Sequence, residues 1–259
     1  MLKQKFDSVP WTIDQTFRGV LFTLVPWIGF LVADALLNAH MGSSSQSTKP
    51  LSPPLDSANA IITLLFSLLV YCVFLIGPIY YARRAKRAPI SDTRSVRQLL
   101  GLRRFHPGYA VILVLLALVL IVLLNQAYTF LITTFHLNVQ TNDQVLLKNA
   151  KIEPITTYVS LFVAVCIAPF CEEIFFRSFT FMGLKNGMSI PIAVVMSALI
   201  FGVAHGDLSS FPVLFCIGVA LALLRLLTGS YWPGLVLHLL NNALGAVLIV
   251  LAMHSINLP

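Results

Sequence analysis

The chain has 259 residues, of which 58% are hydrophobic and only 10% charged, with a mean hydropathy of +0.86. A soluble domain carries roughly 25% charged residues, so a fold solvated on all sides is excluded. The apolar runs also leave no length for a sizeable soluble domain. The net charge of +7 is local: eight of the 17 Lys and Arg residues fall between Arg83 and Arg104, beside one acid, Asp92. A short basic loop between two apolar spans reads as cytoplasmic under the positive-inside rule and as a partner for anionic lipid headgroups. Nucleic acid is not an expected partner.

The first apolar run, about Gly19 to Leu37, is too long for a signal-peptide core and follows no compact cationic segment, so it reads as a retained span. The Ser/Pro-rich stretch "NAHMGSSSQSTKPLSPPLDS" is an exposed loop. Further spans are expected over about Ala60–Tyr81, Tyr109–Thr133, Ile155–Leu184, Ile190–His205, Phe211–Leu227 and Trp232–Met253. A mostly polar connection precedes Pro154. Runs of this length without period-two alternation are helices, because lipid-facing backbone must satisfy its own hydrogen bonds. The expected fold is an all-α polytopic membrane helix bundle of about seven helices, eight if a re-entrant segment is present, forming one integral membrane domain over 1–259. The basic loop places the N-terminus and residues 83–107 in the cytoplasm, with the plasma membrane as the expected location. The side of the C-terminus follows from the helix count. The spans within 1–135 carry little that is specific. Cys72, Cys166, Cys171 and Cys216 lack CxxC spacing, so they read as small core residues rather than as a disulfide framework or thiolate metal site.

Placing an ionisable side chain at the bilayer centre costs at least about 2.5–3.5 kcal/mol, so each one within a span is a candidate functional group. These are Asp34, Glu172, Glu173, Arg177, His205, Arg225 and His238, with amides at Asn125, Gln126, Asn241 and Asn242. Asp34 and Arg225 lie near span ends, within reach of headgroups or water, and Asn125–Gln126 read as an interhelical hydrogen-bonding pair. In "APFCEEIFFRSF", Glu173 and Arg177 are four apart and share a helix face as an ion pair. That leaves Glu172, about 100° around the helix, without a partner. His238 and Asn242 are also four apart, and "FGVAH" ends in His205. Counting helical rise from the Lys185–Ser189 turn places Glu172 and His205 at one depth, about 20–24 Å away, with His238 and Asn242 shallower.

A carboxylate, two histidines and an amide around one cavity suit hydrolysis. Burial makes the carboxylate a better acceptor of a water proton, His205 holds the water, and His238 with Asn242 donates to the oxyanion. Two other readings stay open on these residues: a polar network tying three helices together, and a transporter or scaffold using the cluster as a proton relay. Loss of Asn242 separates them, because hydrolysis needs an oxyanion donor and a relay does not.

In order and spacing, "EEIFFR" (Glu172, Glu173, Arg177), "FGVAH" (Phe201, His205) and "HLLNN" (His238, Asn242) resemble the motifs of the CAAX protease and bacteriocin-processing (CPBP, or Abi) intramembrane proteases. The approach "LLTGSYWPGLVLH" fits the same pattern. The resemblance covers about Thr157–Val250 and implies a catalytic helical core over 155–253. It also implies an endopeptidase acting on a membrane-embedded or lipidated peptide or protein. The family's general base falls on Glu172, supported by Glu173 and Arg177; His205 joins Glu172 in holding the water, and His238 with Asn242 forms the oxyanion hole. Asn241, about 100° from the Asn242 face, reads as a packing residue. Family members are often called metalloproteases, and Glu172, His205 and His238 could make a zinc site with an open fourth position. Against zinc, no His-Glu-x-x-His helix is present, and the His238–Asn242 face suits a paired oxyanion hole. The expectation is therefore no cofactor, with zinc as the alternative.

Overall fold

The computed structural model describes residues 8–40, 49–85, 94–137 and 139–256. The extreme N-terminus, residues 86–93 of the basic loop (Asp92 among them) and the Asp34 side chain lie outside the described residues. In chain order the elements are α1 (Ile13–His40), α2 (Pro53–Ala85), α3 (Val96–Leu99), α4 (Pro107–Thr134), α5 (Asn142–Ala150), α6 (Pro154–Cys166) and α7 (Ala168–Glu172). A π-helical segment, Glu173–Phe181, follows, then α8 (Met182–Leu184), α9 (Ile190–Ala204), α10 (Phe211–Thr228) and α11 (Trp232–Ile256). There is no strand among the described residues. Six segments are long and apolar enough to cross a membrane: Ile13–Leu37, Pro53–Ala85, Pro107–Thr134, Pro154–Leu184, Phe211–Thr228 and Trp232–Ser255; Ile190–Ala204 is a shorter apolar helix. The protein is an all-α, multi-pass membrane bundle, as its composition requires.

Capping sets several boundaries. α1 begins at Ile13 rather than Gly19 because Thr12 and Gln15 cap it reciprocally, the Thr12 N–H donating to Oε1 at 3.0 Å and the Gln15 N–H to Oγ1 at 3.2 Å. Thr141 and Gln144 do the same for α5, so part of the connection expected to be polar loop is helical. α6 starts with Pro154 and takes its cap from another helix. Asp56 of α2, only 1% exposed, accepts from the Ile155 N–H at 2.8 Å, the Thr156 N–H at 3.0 Å and the Thr156 hydroxyl at 2.7 Å. Those N–H groups have no intrahelical partner, so one buried carboxylate fastens α2 to the start of α6.

The fourth expected span is not one α-helix. Pro169 has no N–H to give the carbonyl four residues back, and the chain breaks at Ile167 between α6 and α7. After Glu172 it widens into the π-helical turns, of whose residues only Ile174 is not buried. Phe175, Phe176, Phe179 and Phe181 form the centre of the core. The stretch leading into α1 is tied across this segment by Trp11, whose Nε1 donates to the Phe179 carbonyl, and by Asn186, which donates to the Val9 and Trp11 carbonyls.

Two expectations are corrected. The cysteines are not core residues: Cys72 and Cys166 are exposed, and Cys171 and Cys216 are half-buried, as small apolar side chains facing lipid are free to be. Arg225 does not reach headgroups or water. It is 2% exposed beneath Gly101, where a Cβ would stand 2.4 Å from its Nη2. No side chain fits at Gly101, and its φ of +79 is one that glycine adopts without steric cost.

Candidate active site

Several helix ends meet at one place, and the polar side chains sit on them. Glu172 closes α7 and Glu173 opens the π-helical segment, so neighbouring carboxylates project from a backbone of changing pitch; π-helical turns occur frequently at functional sites. His205 lies just past the end of α9. Its Nδ1 is 2.7 Å from the Phe201 carbonyl, and Trp27 of α1 donates to the Ala204 carbonyl at 2.7 Å. Gly206, with φ +66, then turns the chain away.

The expected depth difference between His238 and Glu172 is closed by the approach of α11. The Tyr231 hydroxyl donates to the Phe170 carbonyl at 3.0 Å, pinning the start of α11 to α7. Burial first, and the Glu173 carboxylate second, push this phenol above its ordinary pKa and keep it a donor. One turn on, Gly234 faces Glu173 so closely that a Cβ would stand 2.7 Å from Oε2.

The result is a buried cluster. Arg177 Nε lies 3.4 Å from Glu173 Oε1, both side chains being 1% exposed, and the guanidinium carbon sits 4.1 Å over the Phe201 ring. This is the ion pair expected from the spacing. The same Oε1 stands 3.2 Å from His238 Nδ1. The Nε2 atoms of His205 and His238 both face Glu172 Oε2, at 4.0 and 3.7 Å. Each Nδ1 has an acceptor, Phe201 O or Glu173 Oε1, so by its partner each neutral ring carries its proton on Nδ1 and turns an Nε2 lone pair toward Glu172. Oε2 has no hydrogen-bond partner. Two lone pairs and a carboxylate oxygen in mutual view define a place for something that donates hydrogen bonds.

Glu172, Glu173, Arg177, His205 and His238 are thus brought together. Asn242 is placed differently: its Nδ2 donates to the Ala164 carbonyl in the last turn of α6 at 2.9 Å, which takes up one of its two N–H bonds. Asn241 is more than a packing residue, since it donates to Asn242 Oδ1 at 3.2 Å and sets the orientation of that amide. Tyr71 of α2, which carries no sequence signal, donates to Glu172 Oε1 at 3.3 Å. Glu172 and His205 also line a cavity of about 160 Å³ with Trp27, Phe66, Val70 and Phe74 of α1 and α2.

A zinc ion would need Glu172, His205 and His238 as ligands. Two ligands each about 2.0–2.1 Å from one tetrahedral zinc stand roughly 3.4 Å apart, closer than the 4.0 and 3.7 Å found here. Among the described residues no three His, Cys, Asp or Glu side chains are grouped to hold a metal. As they stand here, the three side chains are spread slightly wider than a tetrahedral zinc would hold them.

Residues 154–244, which carry every motif, match the family model described as type II CAAX prenyl endopeptidase Rce1-like. That match covers about a third of the chain and makes residues 154–244 the part similar to this family. The membrane-embedded CAAX protease MroQ of Staphylococcus aureus (strain USA300) is 32% identical over 90 residues, 32% of this chain and 36% of its own length. A Bacillus subtilis (strain 168) protein named for membrane peptidase function, YdiL, is 31% identical over 101 residues, 39% of this chain and 40% of its own. An uncharacterized protein of Mycoplasma capricolum is 33% identical over 87 residues, 25% of its length. The chain therefore spans between a quarter and two-fifths of the curated relatives it matches. No solved structure matches. Helices α1 and α2 stand outside the matched residues yet form one wall of the cavity beside Glu172.

Proposed function

We propose that the protein is an intramembrane endopeptidase in which Glu172 activates a water against a peptide carbonyl, without a metal ion. One observation carries this reading: the unbonded Oε2 of Glu172 faces the Nε2 atoms of two histidines from two other helices, inside an apolar bundle. A water there donates one hydrogen to Oε2 and is steered by His205. As its oxygen bonds to the carbonyl carbon, the proton passes to Oε2 and the carbonyl oxygen becomes an oxyanion. Asn242 supplies a donor to that oxygen through its second N–H. Collapse breaks the C–N bond, and the proton held by Glu172 goes to the leaving amine. Glu173 fixes His238 through Nδ1, and Arg177 balances Glu173 in a place where an unpaired carboxylate is costly.

The names of the matched family and of MroQ, together with the apolar cavity beside Glu172, favour a substrate held at the membrane by a lipid or an apolar segment. In this reading the catalytic core is 155–253, the basic stretch 83–104 meets anionic headgroups, and residues 83–107 face the cytoplasm at the plasma membrane. The test is proteolysis by purified protein in vesicles, using a prenylated peptide and its unprenylated twin, with elemental analysis of the same sample. Cleavage of the prenylated peptide by metal-free protein is expected. Near-stoichiometric zinc, with activity lost on chelation and restored by zinc, would overturn the metal-free mechanism.

A further inference from the structure

Helix α2 brings one polar side chain to the centre from outside residues 154–244. The Tyr71 hydroxyl donates to Oε1 of Glu172, whereas Oε2 has no hydrogen-bond partner and faces both histidines. The two carboxylate oxygens are therefore not equivalent, and the phenol decides which is which. The terminal torsion of a glutamate is soft and roughly two-fold, so without that donor the carboxylate has no fixed orientation relative to the histidines. The donor itself is held firmly. The Tyr71 ring packs 5.9 Å from Phe74, and Phe74 packs 5.0 Å from Phe175 of the π-helical segment. At its start α2 is fastened to α6 through Asp56. Tyr71 also lines the cavity that Glu172 and His205 share.

From this geometry we infer that Tyr71 is a positioning residue: it occupies Oε1 of Glu172, so that Oε2 alone takes the proton of the water. This rests on the endopeptidase reading and assigns part of the reaction centre to a helix that the sequence motifs leave out. Phenylalanine keeps the ring packing and removes only the donor.

The experiment is a double-mutant cycle of wild type, Tyr71→Phe, Glu172→Gln and the pair, with kcat, KM and melting temperature measured for each in vesicles. Tyr71→Phe should lower kcat roughly tenfold, the scale of one hydrogen bond to a charged group, and leave KM within about twofold, as expected when an interaction serves the reaction and not ground-state binding. In the Glu172→Gln background it should cost no further activity. Unchanged kcat in Tyr71→Phe, or an equal further loss beside Glu172→Gln, overturns the assignment. If Tyr71→Phe fails to insert, O-methyltyrosine at position 71 replaces it, keeping the ring and oxygen without the donor. A wild type that cleaves nothing would defeat the endopeptidase reading by itself. The Tyr71–Glu172 contact is then judged by the four melting temperatures: non-additive shifts uphold it and additive shifts refute it.

Discussion

Helices α2 and α4 are close in length, 33 and 28 residues, and both turn rows of leucine, isoleucine and valine outward, Leu65 and Leu69 on one and Leu116 and Leu120 on the other. They differ in where their few polar atoms go. α2 sends Asp56 to the start of α6 and Tyr71 to Glu172. On α4, Asn125 and Gln126 are exposed, and Tyr128 reaches only a backbone carbonyl, that of Ser209. Apolar surface, which dominates both helices, is nearly neutral between lipid and protein. A handful of inward polar atoms therefore decides which helix belongs to the site.

The largest expected effect tests that principle where α2 packs on the π-helical segment. Arg177→Leu makes the core more apolar, yet it strips Glu173 of its buried partner and should cost about 3 kcal/mol or more, read as a lowered melting temperature in detergent. Adding Glu173→Gln should restore part of that stability and little activity. A double mutant no more stable than Arg177→Leu alone would show that the two residues are not coupled. Next, Asp56→Ala leaves two N–H groups without their acceptor, while the Thr156 hydroxyl keeps the backbone carbonyl of residue 56, and should cost about 2 kcal/mol. The equivalent cut on α4, Tyr128→Phe, should cost only about 1 kcal/mol, with kcat unchanged. If Tyr128→Phe matched Asp56→Ala in both stability and activity, the contrast between the helices would fail. Smallest of all, Leu116→Ala on the outer face of α4 should shift stability by less than about 0.5 kcal/mol, because lipid replaces the lost contacts.

The same contrast explains what was legible in the sequence. Glu173–Arg177 and His238–Asn242 could be paired because four-residue spacing on a helix is a geometric statement, and the shared depth of Glu172 and His205 followed from helical rise. Tyr71 could not be found this way: a tyrosine in an apolar span has no period or partner in sequence, and its contact with Glu172 crosses 101 positions. Asp56 looked like part of a loop because its partners are backbone N–H groups of a distant helix. α5 read as part of a polar connection because residues 142–150 carry too little apolar periodicity to mark a helix. The π-helical turns have no residue signature. They arise where Pro169 interrupts the ladder and the phenylalanines pack, which depends on neighbouring helices. Arg225 was misplaced because its position near a span end says nothing about α3 and Gly101 folding over it.

The central claim, that Glu172 is the base, is tested most directly by the single-turnover rate of Glu172→Gln on a membrane-held peptide, compared with wild type at equal insertion and melting temperature. The amide keeps the size of the side chain and can still accept from Tyr71, but it cannot take a proton from water. A fall of at least about 100-fold is predicted, the scale of lost general-base catalysis. A well-folded Glu172→Gln protein that cleaves within a few-fold of wild type would contradict the account and move the base elsewhere, to Glu173 first.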